Sequence, residues 1–308
     1  MGSLAFRYKE TACGEAPTRI SHCTMQTTEN LAEILDLEPI EVNLFRGVSP
    51  NDGFPRIFGG LVIAQALLAA YKTVPDRVCH SLHAYFIRPG DVTAPVLYEV
   101  ERARDGGTFT TRRVAAIQHG EQIFNLAASF QTPEEGFEHQ SEAPDAPAPE
   151  SLPTEAEFLR SLGDQIHPKM VAMAERPRPV DVRWVDMQNP VAPVKKSGAK
   201  QVWMRAKVPL GDDVKMQQAA LAYASDMAFM ESALRPHGLI WTTPGLQAAS
   251  LDHAMWFHQP FDFNDWTLFA QDSPAASHGR GLVRGQMFGQ DGKLLASVAQ
   301  ECLMRVRK

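Results

Sequence analysis

Residues 59–72, GGLVIAQALLAAYK, read as a helix that is apolar nearly all round and interrupted only by Gln65. A helix with no polar stripe to offer solvent has to be buried. Four strand-like segments follow in succession: 81–88 (SLHAYFIR), 95–102 (PVLYEVER), 108–117 (TFTTRRVAAI) and 122–131 (QIFNLAASFQ). Asp105-Gly106-Gly107 and His119-Gly120 supply the turn residues between them. Upstream, residues 27–37 predict a short amphipathic helix with Leu31, Ile34 and Leu35 on one side, and Glu41 to Phe45 reads as a strand.

The same order of elements returns later in the chain. Thr154 and Glu157 have the spacing of a capping box that opens a short helix. Residues 201–208 read as a strand and 217–231 (QQAALAYASDMAFME) as a second apolar helix. Strand-like segments at 250–258, 265–271, 280–289 and 293–305 complete the half, with Asp291-Gly292 as a hairpin turn. Three landmarks recur in order. Ser81-Leu82 with Phe86-x-x-Pro89 returns as Ser250-Leu251 with Phe257-x-x-Pro260, and Ala128-Ser-Phe-Gln131 returns as Ser297-Val-Ala-Gln300. One long helix wrapped by consecutive antiparallel strands is a hotdog-like unit. Two in tandem predict an α+β double hotdog and argue against a parallel Rossmann or TIM sheet.

Between the halves, residues 132–153 hold five prolines, six acids and no Lys or Arg, the composition of an extended linker. The expected organisation is therefore an N-terminal extension over 1–24, a first unit over 25–131, the linker, and a second unit over 154–308. The chain has 308 residues and a formal charge of −6, which argues against a nucleic-acid partner. Cys13, Cys23, Cys79 and Cys302 have no metal-binding spacing. Residues 1–30 lack the apolar core of a signal peptide, no apolar run is long enough to span a bilayer, and Arg305-Val-Arg-Lys308 is not a Ser-Lys-Leu peroxisomal address. A soluble, cytoplasmic protein with no metal or cofactor is the expectation.

Asp226 is the most informative residue, because an Asp in an apolar helix is seldom fully buried without a partner. It is either a buried, functional carboxylate or a solvated one on a polar stripe with Gln218, Ser225 and Ser232. Sliding the two helices together sets Gln65 opposite Asp226, Ser81 opposite Ser250 and Gln131 opposite Gln300. Only the second set contains a base, which suggests one working centre in a duplicated scaffold. A carboxylate can take a proton from water while Ser and Gln hold that water in line. His253 and His258 are five apart on a strand and so face opposite sides, as do His80 and His83, which disfavours a metal site.

Several long segments resemble the acyl-CoA thioesterase II family: FGGLVIAQALLAA (58–70), HSLHAYFIRPGD (80–91), FQTPEEGFEHQ (130–140), QVWMRAK (201–207), ASDMAF (224–229), SLDHAMWFH (250–258) and GQDGKLLASVAQECLMR (289–305). The resemblance runs over residues 26–306. It implies a tandem hotdog that hydrolyses fatty acyl-CoA to fatty acid and CoA. It also implies that Asp226, Ser250 and Gln300 activate and orient a water, and that the protein assembles as a homodimer or homotetramer. Backbone N–H groups at the helix start, Gly59 and Gly60, together with His80 and Arg88, become substrate-binding candidates by the same resemblance. Arg88, Arg112, Arg113, Lys195, Lys196 and Lys200 are candidates for the CoA phosphates. A hotdog enoyl-CoA hydratase and a non-catalytic acyl-CoA or lipid-binding module are the alternatives.

Overall fold

The computed structural model describes residues 28–51 and 53–307. The N-terminal extension and the first residue of the expected 27–37 helix lie outside them. In chain order the elements are α1 (Leu31–Leu35), β1 (Glu38–Glu41), β2 (Leu44–Gly47), α2 (Gly59–Tyr71), β3 (Val78–Phe86), β4 (Val96–Asp105), β5 (Phe109–Gln118) and β6 (Glu121–Gln131). The second half continues with α3 (Glu155–Ser161), α4 (Pro168–Ala174), β7 (Val180–Trp184), β8 (Lys200–Ala206), α5 (Val214–Ser225), α6 (Glu231–Leu234), β9 (Leu246–Ser250), β10 (Asp252–Phe257), β11 (Thr267–Ser277), β12 (Arg280–Gly289) and β13 (Leu294–Val306).

All the strands join one antiparallel sheet in the order β1-β2-β4-β5-β6-β3-β10-β13-β12-β11-β8-β7, with β9 added beside β13. The order is palindromic about the β3–β10 pair; in the first half α2 lies against β2, β4, β5 and β6, and in the second α6 lies against β11 and β12. This is the double hotdog that the repeated element order predicts. Helices α2 and α5 pack on each other inside the sheet. Their side chains and the inward strand residues form one continuous apolar core, from Leu31 through Leu67, Tyr98 and Phe130 to Leu221, Met255 and Val298.

Local chemistry accounts for the element ends. His119 (φ 51°) and Gly120 (φ 76°) make the two-residue turn between β5 and β6, and His278 (φ 51°) and Gly279 (φ 74°) repeat it between β11 and β12. The Thr154–Glu157 capping box forms and starts α3. Three readings of the sequence change. The strand expected at 41–45 is two short strands joined through Asn43, which adopts φ 65°. β7 and α4 were not anticipated. The strand expected over 250–258 is broken at Leu251, whose N–H donates to the Glu301 carbonyl on one side while its carbonyl accepts from Phe86 on the other.

Residues 132–148 run without helix or strand, as their prolines require, yet they are docked. Ala143 and Ala146 cover a second apolar cluster of Trp203, Trp266, Leu268, Phe288 and Leu294 on the outer side of the second half. The Trp203 indole donates to the Pro147 carbonyl at 2.9 Å, Gln140 is bonded to both Gly292 and Leu294, and Gln286 donates to Ser141. The segment is a strap across the second half.

Candidate active site

Helix α2 begins without a side-chain cap, because Phe58 stands at its N-cap position. Leu61 and Val62 donate to the Phe58 carbonyl, which leaves the N–H groups of Gly59 and Gly60 for a partner outside the helix. That partner is Asp226. The Gly60 N–H donates to its carboxylate, an arrangement that the positive end of the helix favours. Both glycines are needed for the approach. A Cβ on Gly59 would lie 2.6 Å from Asp226 Oδ2, and one on Gly60 would lie 2.3 Å from the Tyr223 carbonyl.

Asp226 is not inside its helix, as the apolar run suggested. α5 runs from Val214 to Ser225, three residues earlier at its start and six earlier at its end than read from sequence, and Asp226 is its C-cap. The chain leaves through Met227 and Ala228, the latter at φ 59°. This left-handed conformation is unfavourable for alanine. The turn is held by the Lys200 ammonium, which donates to the Ala228 carbonyl at 2.8 Å, and by the fully buried Phe229.

Two strands bring the remaining groups. Ser250 ends β9, and its hydroxyl donates to Asp226 Oδ1 at 3.3 Å. Gln300, 1% exposed, rises from β13 and donates through Nε2 to Ser250 Oγ at 2.9 Å and to the Asp226 carboxylate. Asp226, Ser250 and Gln300 therefore share one hydrogen-bonded cluster. Burial pushes the Asp226 carboxyl up to about 7, while Gln300, the Gly60 N–H and Ser250 pull it the other way. Asp226 and Ser250 remain partly open to solvent.

A fourth member was not recognised from sequence. His253 lies one strand-face step from Met255 and Phe257, pointing inward, and is 1% exposed. Its Nδ1 is 2.7 Å from Gln300 Oε1 and its Nε2 is 2.9 Å from Ser225 Oγ. Burial pushes it down to about 4, so it is neutral at pH 7. The signal was present: a histidine on the inward face of an apolar strand needs a polar partner.

The other candidates are placed elsewhere. His80, at the start of β3, is bonded to Ser129. The Phe86 ring that touches Gly59 is at the far end of the same strand, roughly 20 Å away at about 3.3 Å per residue. Arg88 is paired with Glu121 and the Gln122 carbonyl. Arg112 and Lys200 are buried, bonded to Asp105 with Thr73 and to Glu231 with Ala228, respectively, and so cannot meet a phosphate at the surface.

The register of the repeat also differs from the sequence reading. β3 and β10 pair with His83 opposite Ala254 and Leu82 opposite Met255. The two-fold relation of the halves then matches Phe86 with Phe257, Leu82 with His253 and Cys79 with Ser250. Ala84 pairs with Leu126 and Leu82 with Ala128, while Met255 pairs with Val298, so Gln300 falls opposite Ala128. On the strands, Ser81 and Gln131 are therefore not the counterparts of Ser250 and Gln300. Gln65 ties the first half together through the Ile34 and Val48 carbonyls and the Tyr98 hydroxyl.

A family model described as acyl-CoA thioesterase matches residues 172–303, and a second, described as acyl-CoA thioesterase N-terminal domain, matches residues 49–131. The chain belongs to the acyl-CoA thioesterase II family. It is 42% identical over 277 residues to acyl-CoA thioesterase 2 of Haemophilus influenzae, covering 90% of this chain and 97% of that one. It is 40% identical to human acyl-coenzyme A thioesterase 8, covering 89% and 88% of the two chains. Among solved structures, the acyl-CoA thioesterase II TesB2 of Mycobacterium marinum superposes with a TM-score of 0.73 at 42% identity, over 90% of this chain and 98% of that one. A protein from Alicyclobacillus acidocaldarius described as having a hot dog fold has a TM-score of 0.72 at 21% identity, over 90% and 98%, a likeness of fold. Membership of this family makes the chain a thioester hydrolase of the acyl-CoA class. Among the described residues no helix is long and apolar enough to cross a membrane.

Proposed function

We propose that the chain hydrolyses fatty acyl-CoA thioesters by a water that Asp226 deprotonates and that Ser250 and Gln300 orient. The observation that carries this reading is the three-way cluster itself: a desolvated carboxylate bonded to an alcohol and an amide from two separate strands. A carboxylate whose pKa is about 7 is matched to general-base work near neutral pH. The water gives a proton to Asp226 while its oxygen bonds to the thioester carbon. The C–S bond then breaks, and the thiolate leaves and takes up a proton. Thiolate is a good leaving group, so the step needs no strong acid. The N–H groups at the tip of α2 adjoin Asp226, so a thioester carbonyl brought to the same tip would meet donors for its developing charge.

A hydratase would pair its Asp with a His. Here the imidazole of His253 reaches Asp226 only through Gln300, which favours the hydrolase. A binding module without chemistry would have no need of a desolvated acid. The reading includes a cytoplasmic location, carried by the family and the bacterial relative, and a homodimer or homotetramer, carried by the family alone. The test is thiol release from acyl-CoA by the wild type and by Asp226→Asn. Turnover in the variant should drop about 10²–10⁴-fold, and wild-type turnover there would remove Asp226 from the mechanism.

A further inference from the structure

The Gln300 side chain can sit in either of two orientations related by a flip, and only one of them is useful. With Nε2 toward Asp226 and Ser250 it donates to both; with Oε1 there it would set a lone pair against a carboxylate. Ser250 Oγ does not fix this choice, because the hydroxyl can rotate to donate or accept, and Asp226 favours the amide NH₂ only while it is ionised. The other end of the amide is fixed. His253 Nδ1 lies 2.7 Å from Gln300 Oε1, in a place closed to water. An amide oxygen can only accept, so Nδ1 carries the hydrogen of the neutral imidazole. Nε2 is then the acceptor and faces the Ser225 hydroxyl at 2.9 Å, with the Phe229 ring against the imidazole edge. The opposite tautomer would present a lone pair to Gln300 and reward the flipped amide.

We propose that His253 is a positioning residue: as the Nδ1–H tautomer it holds the Gln300 amide with its NH₂ toward Asp226 and Ser250, and so sets the strength of the base. This deepens the reading of Asp226 as general base and rests on it. The repeat supplies an internal control, since the register mate of His253 is Leu82, fully buried on the inward face of β3. A leucine therefore already fills this place in the same architecture, where no amide has to be aimed.

The effect should be read in the pH profile. Near Asp226, the described titratable groups are Cys302 of β13, which the Asp226, Glu301 and Asp252 charges help to push up, and His253 of β10 behind Gln300. Cys302, pushed up to about 11 by burial, stays protonated, and Asp252 accepts the Glu301 N–H. Releasing the amide withdraws a donor from the Asp226 carboxylate, so His253→Leu should move the acid limb of kcat/KM upward by about one pH unit and lower kcat roughly tenfold at neutral pH, with KM little changed. Asn places an N–H close to where Nδ1–H stands, so His253→Asn should return the limb to the wild-type midpoint. A folded His253→Leu with the wild-type midpoint overturns the proposal, as does a folded His253→Asn that behaves like the leucine variant. A second measurement does not depend on how the variants fold: ¹⁵N spectra of histidine-labelled wild type should show His253 protonated at Nδ1 and bare at Nε2, and the reverse tautomer overturns the proposal. Failure of the base reading looks different, because Asp226→Asn would then retain turnover whatever residue 253 is.

Discussion

The two halves of the sheet are built to one plan and furnished for different work. At the end of α5 stand Asp226, Ser250, Gln300 and His253; on the strands of the first half the matching places hold Cys79, Ala128 and Leu82. The helix starts differ in the same sense. Asp213 caps α5 with its own side chain, donated to by Lys215 N–H, whereas α2 starts at Phe58 and takes Asp226 from the other helix as its acceptor. Burying a carboxylate is costly, and three donors offset that cost, Ser250 and Gln300 from the second half and the Gly60 N–H from α2. The first half fills the same volume with apolar side chains, and its core polar groups only tie elements together, as Gln65 does with Ile34, Val48 and Tyr98.

The contrast can be broken most strongly at Asp226. Besides the loss of turnover in Asp226→Asn, the wild-type rate should follow the carboxylate form: it falls about tenfold per unit below pH 7 and levels above it, as a profile of kcat/KM would show. Gly60→Val comes next. Its side chain would strike the Tyr223 carbonyl, so α2 must withdraw from Asp226, and a loss of about 1–3 kcal/mol in stability together with most of the activity is expected from denaturation and turnover measured side by side. Asp226→Asn should also stabilise the protein. The folded pKa of Asp226 lies above its unfolded value, so the penalty is absent below about pH 4, grows up to about pH 7 and is constant above. The variant should therefore gain on the order of 2 kcal/mol at pH 8 over wild type, with the gap closing toward pH 4, which melting at both pH values would show.

Smaller changes sharpen the comparison. Trp203→Phe removes the indole bond to Pro147 from the strap across the second half, and should cost about 1 kcal/mol in a urea titration with little change in kcat. Cys79→Ser puts a hydroxyl at the register mate of Ser250. It should leave turnover unchanged and move stability by less than about 1 kcal/mol, because the bonded neighbours of Cys79 are the Tyr71 hydroxyl, the Ser81 carbonyl and the Gln218 amide, with no carboxylate among them. Added activity would mean that the first half keeps a latent centre.

Much of the plan was legible in the residues. Residue patterns marked most of the strands, Gly and Asp marked the turns, and the apolar helices could only be interior. The register of the repeat was not legible, because Ser81 to Phe86 spans five residues and Ser250 to Phe257 spans seven. With Cys79 matched to Ser250, both halves run seven residues to the phenylalanine, and the shift between Cys79 and Ser81 stands where the other half breaks at Leu251. Composition alone could not separate a helix interior from a helix cap, so Asp226 was read too deep. His253 escaped because its meaning lies in a contact with a residue 47 positions away. The strap read as a spacer because prolines and acids show that a segment is extended but do not show what it lies on.

Asp226, Ser250 and Gln300 all follow residue 200, but the glycine tip that approaches the acid belongs to residues 59 and 60. A fragment starting at the strap would own every side chain of the cluster and still lack the amide end against which the carboxylate rests. Neither portion of this duplicated chain is a self-sufficient enzyme. If the polypeptide were split at the strap, hydrolysis would return only when both pieces were mixed.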